Sequence, residues 1–293
     1  MKKLVNIIAA ATLLSATGSA CVPMQFVSVD NYNTKQYSEE NITLENLISS
    51  TYCLLSEREY SDNAGNTFNA GGYGSSFAFR QVDGYSYLIT NQHVVGEFEQ
   101  NVNGNIYNRD QVNIKIIDSK FDNNKDDDIP LEIVFESKEL DLAILRTEEK
   151  LNFLPEKNLQ LSSNLKYGEE VYLVGFPLGM FPSVTEGIVA NPGLYPFHYE
   201  FEDKLNGITV PNSSRKVLDL SANPGNSGGP LFVKKDGQLY WAGIISAYLI
   251  HNAGGPFYRE NSGLAIAMGS KTIKSIADCV IMNVDDYIGE CKM

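Results

Sequence analysis

Asn223-Pro-Gly-Asn-Ser-Gly-Gly-Pro230, followed by the apolar run Leu231-Phe-Val233, sets one serine among glycines and prolines just ahead of a strand-like segment. A serine that attacks a carbonyl needs hydrogen-bond donors aimed at the oxyanion that develops, and the backbone N–H groups of a tight turn supply them without reorganising. Gly225 and Ser227 would be those donors. Gly228 and Gly229 accept backbone conformations, and a close approach of a substrate chain, that a Cβ obstructs. The plainer reading is a glycine-rich hairpin turn with a solvent-facing serine, and the rest of the chain decides between the two.

A serine hydroxyl is a weak nucleophile until a base takes its proton. The chain has 3 histidines: His93, His198 and His251. His93 closes Tyr85-Ser-Tyr-Leu-Ile-Thr-Asn-Gln-His93, a β-branched and aromatic run that reads as a strand leading into a short turn or helix. His198 and His251 fall in loop or strand-edge sequence, where an ordinary surface or packed histidine is the favoured reading. A third group must hold the imidazole in the correct tautomer and stabilise its cation. Asp141 is the candidate, a lone charge opening the apolar stretch Leu142-Ala-Ile-Leu145. A buried carboxylate there would need a hydrogen-bonding partner such as His93; taken alone, it reads as a strand-end aspartate facing water.

Thr90-Asn-Gln-His-Val-Val95, Asp141-Leu-Ala-Ile-Leu145 and Asp219-Leu-Ser-Ala-Asn-Pro-Gly-Asn-Ser-Gly-Gly-Pro-Leu231 resemble, in that order, the histidine, aspartate and serine motifs of trypsin-like serine proteases, with the nearest likeness to the HtrA-type bacterial branch. Gly74-Ser-Ser-Phe-Ala-Phe79, Val171-Tyr-Leu-Val-Gly-Phe-Pro-Leu-Gly179, Thr185-Glu-Gly-Ile-Val-Ala190 and Gly263-Leu-Ala-Ile-Ala267 extend the likeness from about Ser50 to about Ile281. The order His, Asp, Ser separates this family from subtilisin-like and α/β-hydrolase enzymes. The resemblance implies an all-β fold of two packed six-stranded antiparallel β-barrels. His93 and Asp141 would come from the first, Ser227 from the second, with the active site in the cleft between them.

The residue pattern supports that fold independently. Short apolar or β-branched runs at 76–79, 85–90, 112–117, 131–135, 142–145, 171–175, 217–220, 231–233, 240–246 and 263–267 alternate with Gly, Asn and Asp clusters, as in barrels and sandwiches. One helix is expected over Ser270–Val280, where Ile273, Ile276, Ala277 and Val280 fall at helical spacing. The expected organisation is a signal peptide (1–20), a polar tether (21–49), the protease domain (50–281, with barrels at about 50–155 and 160–270) and a tail (282–293). A chain of 293 residues, 43% hydrophobic and 20% charged, fills two such barrels. The PDZ domain that accompanies many HtrA-type proteases is therefore not expected.

The net charge of −13 argues against nucleic-acid binding, which depends on neutralising phosphates with Lys and Arg. Asp122–Asp128 reads as a solvated acidic loop, since the calcium-loop alternative lacks its turn glycine and has Ile133 where a bidentate Glu is needed. Asn101–Asp110 reads as a surface insertion. No metal and no cofactor are expected. Met1-Lys-Lys3, the apolar Leu4–Leu14 and the small residues Ala16–Ala20 have the layout of a secretory signal, implying a periplasmic, secreted or lipid-anchored product. Gly18-Ser-Ala-Cys21 also resembles a lipoprotein cleavage box, with Cys21 lipidated and attached to a membrane; ordinary cleavage to a soluble product is the alternative. With Cys21 lipidated, Cys279 with Cys291 is the preferred disulfide and Cys53 is buried and free; otherwise four cysteines allow three complete pairings.

The resemblance implies peptide-bond hydrolysis of protein or peptide substrates, through acyl transfer to Ser227 with His93 as base and then acid. Asn226 stands where the digestive relatives carry an aspartate that pairs with a newly cleaved N-terminal amine, so activation by that route is not expected. The residue six before the nucleophile, Ser221, lines the primary pocket by resemblance and offers no charge to select Lys or Arg. Ser246 and Ala247 match the strand beside which a substrate backbone pairs, Tyr248 narrows the entrance, and Ile245 occupies the position where glutamyl endopeptidases use histidine. A small or medium apolar residue before the cleaved bond is therefore expected. The competing reading is a catalytically silent module that keeps the fold to bind another protein; no oligomeric state follows from the sequence. Because a base must be neutral and free imidazole titrates near about 6.5, hydrolysis should fall as the medium is acidified through that region. A pH–rate profile that stays flat well below it would remove His93 from the mechanism.

Overall fold

The computed structural model describes residues 42–118, 128–138, 140–154, 159, 161–162, 164–193, 203–205, 208–210, 215–252 and 259–282. After a one-turn helix, α1 (Leu44–Ser49), the chain enters β1 (Thr51–Ser61), β2 (Thr67–Val82), β3 (Tyr85–Thr90), a four-residue helix α2 (Gln92–Val95), β4 (Glu99–Val102), β5 (Asn105–Ile117), β6 (Ile129–Ser137) and β7 (Leu142–Thr147). The second half holds β8 (Glu170–Gly175), β9 (Ser183–Asn191), β10 (Asp203–Leu205), β11 (Ile208–Val210), β12 (Arg215–Asp219), β13 (Pro230–Lys235), β14 (Gln238–Asn252), β15 (Arg259–Gly269) and α3 (Ser270–Met282).

These strands make two antiparallel six-stranded barrels. The first runs β1-β2-β3-β7-β6-β5 and closes by pairing β1 with β5, with β4 added outside β5 as a hairpin. The second runs β12-β15-β14-β13-β8-β9 and closes by pairing β9 with β12. Closure removes the unpaired edges that an open sheet would present.

Side-chain alternation explains why several strands read as unbroken apolar runs. On β7, Ala143 and Leu145 point into the first barrel with Leu54, Leu88 and Ile114. Leu142 and Ile144 point the other way, into a layer shared with Ile89, Val174, Phe232 and Trp241. On β13, Leu231 and Val233 fill the second barrel while Phe232 enters the shared layer. A strand buried on both faces has no polar face to show in sequence. In the shared layer, the Phe77 ring meets Phe232 edge-on at 6.0 Å and Trp241 at 5.6 Å. Ile273, Ile276, Ala277 and Val280 of α3 seal it.

The expected strands are all present, and the expected helix extends two residues further, to Met282. β1 was not expected: Glu57, Arg58 and Glu59, exposed or half-buried, interrupt its apolar pattern, and the strand is made by pairing with both β2 and β5. β9 was legible as a motif but not as a strand, since Val184 and Ile188 are exposed and Gly187 interrupts the run. Asn101–Asp110 is an exposed hairpin of β4 and β5. Of the acidic loop, residues 119–127 lie outside the described residues, while Asp128 pairs with Lys115 at 2.8 Å. Cys53 is free and buried, and burial pushes its thiol up to about 12, with the Asp118 charge adding to the effect. Cys279 is disulfide-bonded; Cys291 and Cys21 lie outside the described residues.

If the shared layer fixes the two barrels, Phe232→Ala should destabilise the chain by about 3–5 kcal/mol, the range for deleting a buried phenyl ring. Urea denaturation of the purified chain measures this; a loss below about 1 kcal/mol would mean that the layer is not tightly packed.

Candidate active site

Ser227 lies in the second of two successive turns. In the first, Asn226 N–H donates to Asn223 O at 3.0 Å, and in the second Gly229 N–H donates to Asn226 O at 2.9 Å. The third residues of these turns, Gly225 and Gly228, have φ of 94° and 83°, the left-handed conformation that a type II turn requires there; Pro224 is favoured at the second place of the first turn. Space forbids a side chain as well. A Cβ on Gly225 would collide with Phe176 O and lie 2.6 Å from Leu178 N, and one on Gly228 would collide with Ser75 O and Thr90 Oγ1.

The first turn is oriented from outside. Leu178 N–H donates to Pro224 O at 2.6 Å. In a trans peptide the next N–H points the opposite way, so the Gly225 N–H is turned away from Leu178. Ser75 ties the turns to the first barrel: its N–H donates to Ser227 O at 2.8 Å, and its buried hydroxyl donates to Gly225 O at 2.7 Å while accepting from Phe176 N–H at 2.8 Å. Thr90 Oγ1 donates to Ser75 O at 2.8 Å. The Ser227–Gly228 segment thus abuts the end of β3, three residues before His93.

His93 lies on α2 and Asp141 in the turn before β7. The Asp141 carboxylate receives His93 N–H at 3.1 Å and faces His93 Nδ1 at 2.9 and 3.0 Å. Asn91, fully buried, donates from Nδ2 to Asp141 O at 2.9 Å. Asp141 takes φ of 52°, a left-handed conformation in which aspartate is enriched among non-glycine residues. With Nδ1 carrying the proton towards the carboxylate, Nε2 is left with its lone pair, the tautomer suited to a base. Ser246 Oγ donates to the other carboxylate oxygen at 2.5 Å.

Two of these contacts were not legible in sequence. Ser246 was expected only as part of a substrate-pairing strand, yet its side chain is committed to Asp141. Ser75 lies inside the Gly74–Phe79 motif, and a serine between small neighbours in an apolar strand is the signal that could have singled it out. Ser221 is exposed at the end of β12, where Leu220 N–H donates to Gly263 O at 2.9 Å; Ala222 and Ala265 nearby in the chain and sheet are buried. Tyr248 pairs with Ala265 in the β14–β15 ladder, and His251 with Glu260; His198 lies outside the described residues. Among the described residues no three His, Cys, Asp or Glu side chains converge, and no helix is long and apolar enough to cross a membrane.

Residues 74–240, more than half of the chain, match the model of the trypsin-like peptidase domain. The chain belongs to this family. It is 30% identical over 208 residues to a probable periplasmic serine endoprotease DegP-like of Pseudomonas fulva, covering 70% of this chain and 34% of that protein. A serine protease HtrA-like of Staphylococcus epidermidis is 25% identical over 240 residues, covering 80% of this chain and 34% of that one. The chain therefore spans about a third of the length of these relatives. Among solved structures, the HtrA-type protease AlgW with a decapeptide superposes with a TM-score of 0.54 over 82% of this chain and 67% of the other, at 22% identity, a likeness of fold.

Asn226 is 2% exposed, and its Oδ1 has no hydrogen-bond partner among the described residues. Asn226→Asp should therefore bury a carboxylate without a cation, which raises its pKa. The substituted chain should lose stability as pH rises above about 4, the usual aspartate value. Thermal melts of the two chains at pH 4 and pH 7 test this: the gap in Tm should widen at pH 7, and a gap that narrows would reveal a cation beside Asn226.

Proposed function

We propose that this chain is a serine endopeptidase that hydrolyses peptide bonds through Ser227, His93 and Asp141. The observation that carries the reading is the His93–Asp141 pair, 2.9 Å apart, in a trypsin-like domain whose Ser227 turn packs against the strand leading to His93. In this mechanism His93 Nε2 takes the hydroxyl proton as Ser227 Oγ attacks the carbonyl carbon. The N–H groups of Gly225 and Ser227 hold the oxyanion, and His93 then protonates the leaving amine. Water, activated by the same imidazole, attacks the acyl-enzyme and releases Ser227. Asp141 keeps Nδ1 protonated and offsets the charge of the imidazolium, and Ser246 fixes the second carboxylate oxygen.

The turn supports an assembled site without an N-terminal amine. Its Gly225 donor is oriented by the neutral Leu178–Pro224 bond, and Asn226 carries no charge to attract a cation. Ser221, Ala222 and Ala265 are small and uncharged, which supports a small or medium apolar residue before the cleaved bond. The N-terminal sequence and relatives named as periplasmic support action outside the cytoplasm, either free or attached through Cys21.

A fluorophosphonate probe should label the folded chain and fail to label Ser227→Ala. Asp141→Asn should lower kcat by about 10⁴-fold through the wrong imidazole tautomer. A folded chain with no Ser227-dependent labelling would instead be a silent binding module.

A further inference from the structure

The helix that bears His93 is four residues long, and one of its internal bonds, Gly96 N–H to Gln92 O at 2.9 Å, closes its end. So short a helix is not stable alone. Its end is held by side chains on three consecutive carbonyls. Ser56 Oγ donates to Val95 O at 2.7 Å, and Tyr60 OH donates to Glu97 O at 2.9 Å. Between them, Gly96 O accepts from Arg109 Nη1 at 2.7 Å and from Gln92 Nε2 at 2.8 Å.

Arg109 does more than cap. Its other terminal nitrogen, Nη2, pairs with Glu136 Oε1, and the two side chains are 9% and 17% exposed. Gln92 Nε2 also reaches Glu136 Oε2 at 3.5 Å. The guanidinium lies over the Phe98 ring at 4.6 Å, and Arg109 N–H donates to Phe98 O at 2.8 Å. Gly96 follows His93 by three residues, and Glu136 precedes Asp141 by five. One planar fork therefore grips both segments whose relative placement sets the His93–Asp141 contact. A rigid guanidinium can hold two acceptors at a fixed separation in a way that a single ammonium cannot.

We propose that Arg109 is a positioning residue for His93, acting through Gly96 and Glu136, so that the base of the β4–β5 hairpin belongs to the catalytic apparatus while its exposed tip does not. This rests on the reading of His93 as the base. An imidazole misplaced by a fraction of an ångström misses the serine proton while the substrate-binding surface is unchanged, so the loss should appear in kcat rather than KM.

The test compares Arg109→Met, Arg109→Lys and Glu136→Gln with two controls. Arg146→Met breaks the Arg146–Glu132 pair elsewhere on the same barrel (2.7 Å), and the double variant Val102→Ser/Ile106→Ser alters the hairpin tip. Readouts are Tm, kcat and KM on peptide thiobenzyl esters, the rate of fluorophosphonate labelling, and the low-field proton NMR signal of the His93 Nδ1–H. Arg109→Met should lower kcat and the labelling rate by about 10- to 100-fold, keep KM within about twofold, and shift or broaden the imidazole signal. Arg109→Lys should recover part of the loss, and both controls should keep kcat. Folded Arg109→Met with unchanged kcat and imidazole signal would overturn the proposal, as would an equal kcat loss in Arg146→Met at equal Tm. Should Arg109→Met not fold, Glu136→Gln decides: a several-fold fall in kcat supports the proposal and wild-type kcat sinks it. Failure of the wild-type chain to label would remove the hydrolase reading instead, and the imidazole signal would still report on the clamp.

Discussion

Strands β3, β7, β8 and β13 carry apolar residues on both faces, and closing a barrel hides one face of each. Leu88, Ala143, Leu173 and Leu231 are covered in this way inside their own barrels. Ile89, Ile144, Val174 and Phe232 would still meet water, and a row of such residues is the kind of surface that binds a partner. Here each barrel is the other's partner, with α3 as the lid. Because interiors are packed to crystal-like density, Phe77 wedged between Phe232 and Trp241 leaves the barrels little freedom to slide. His93 and Asp141 from one half and Ser227 from the other are placed by barrels that this layer holds together.

Where β2 passes from this layer to the site, its side chains shrink to Gly74-Ser75-Ser76 and backbone polar groups come within reach. Ser75 joins β2, the end of β8 and the Ser227 turn with one hydroxyl and one N–H. Each such bond contributes about 0.5–1.5 kcal/mol net, small beside the burial of a phenylalanine. Their value is directional: apolar contacts bring the barrels together, and these bonds select the one register in which the Ser227–Gly228 segment adjoins Thr90.

The motifs around Ser227, His93 and Asp141 were legible because each is local, a turn, a strand end or a short helix whose residues specify its own conformation. The apolar runs of β3, β7 and β13 and the helical spacing of α3 were legible for the same reason. β1 was not, since Glu57, Arg58 and Glu59 break its apolar pattern, and only pairing with both β2 and β5 makes it a strand. Nor were Ser75, Ser246 and Arg109. Ser246 meets Asp141 across 105 positions and Ser75 meets Gly225 across 150. Nothing about an isolated serine or arginine names such a partner; topology supplies it.

The Ser227 turn shows how local chemistry and topology divide the task. Pro224 and Gly225 favour the turn type, but a proline–glycine turn on a free loop can point its central peptide towards any partner that offers a better bond. Leu178 removes that freedom by occupying Pro224 O. It does so from a left-handed conformation, φ 57°, and the residue is 47% exposed. That conformation costs a non-glycine residue about 1–2 kcal/mol, and little side-chain burial offsets it. The compensation lies in the bond that Leu178 N–H makes and in the packing of Gly179 on Tyr73 beside it. An ion pair beneath the turn could fix the same peptide, but it would need a charge at the buried position of Asn226. A neutral bond from a strained loop orients that peptide instead, and the direction of the Gly225 N–H is thereby set by the fold itself.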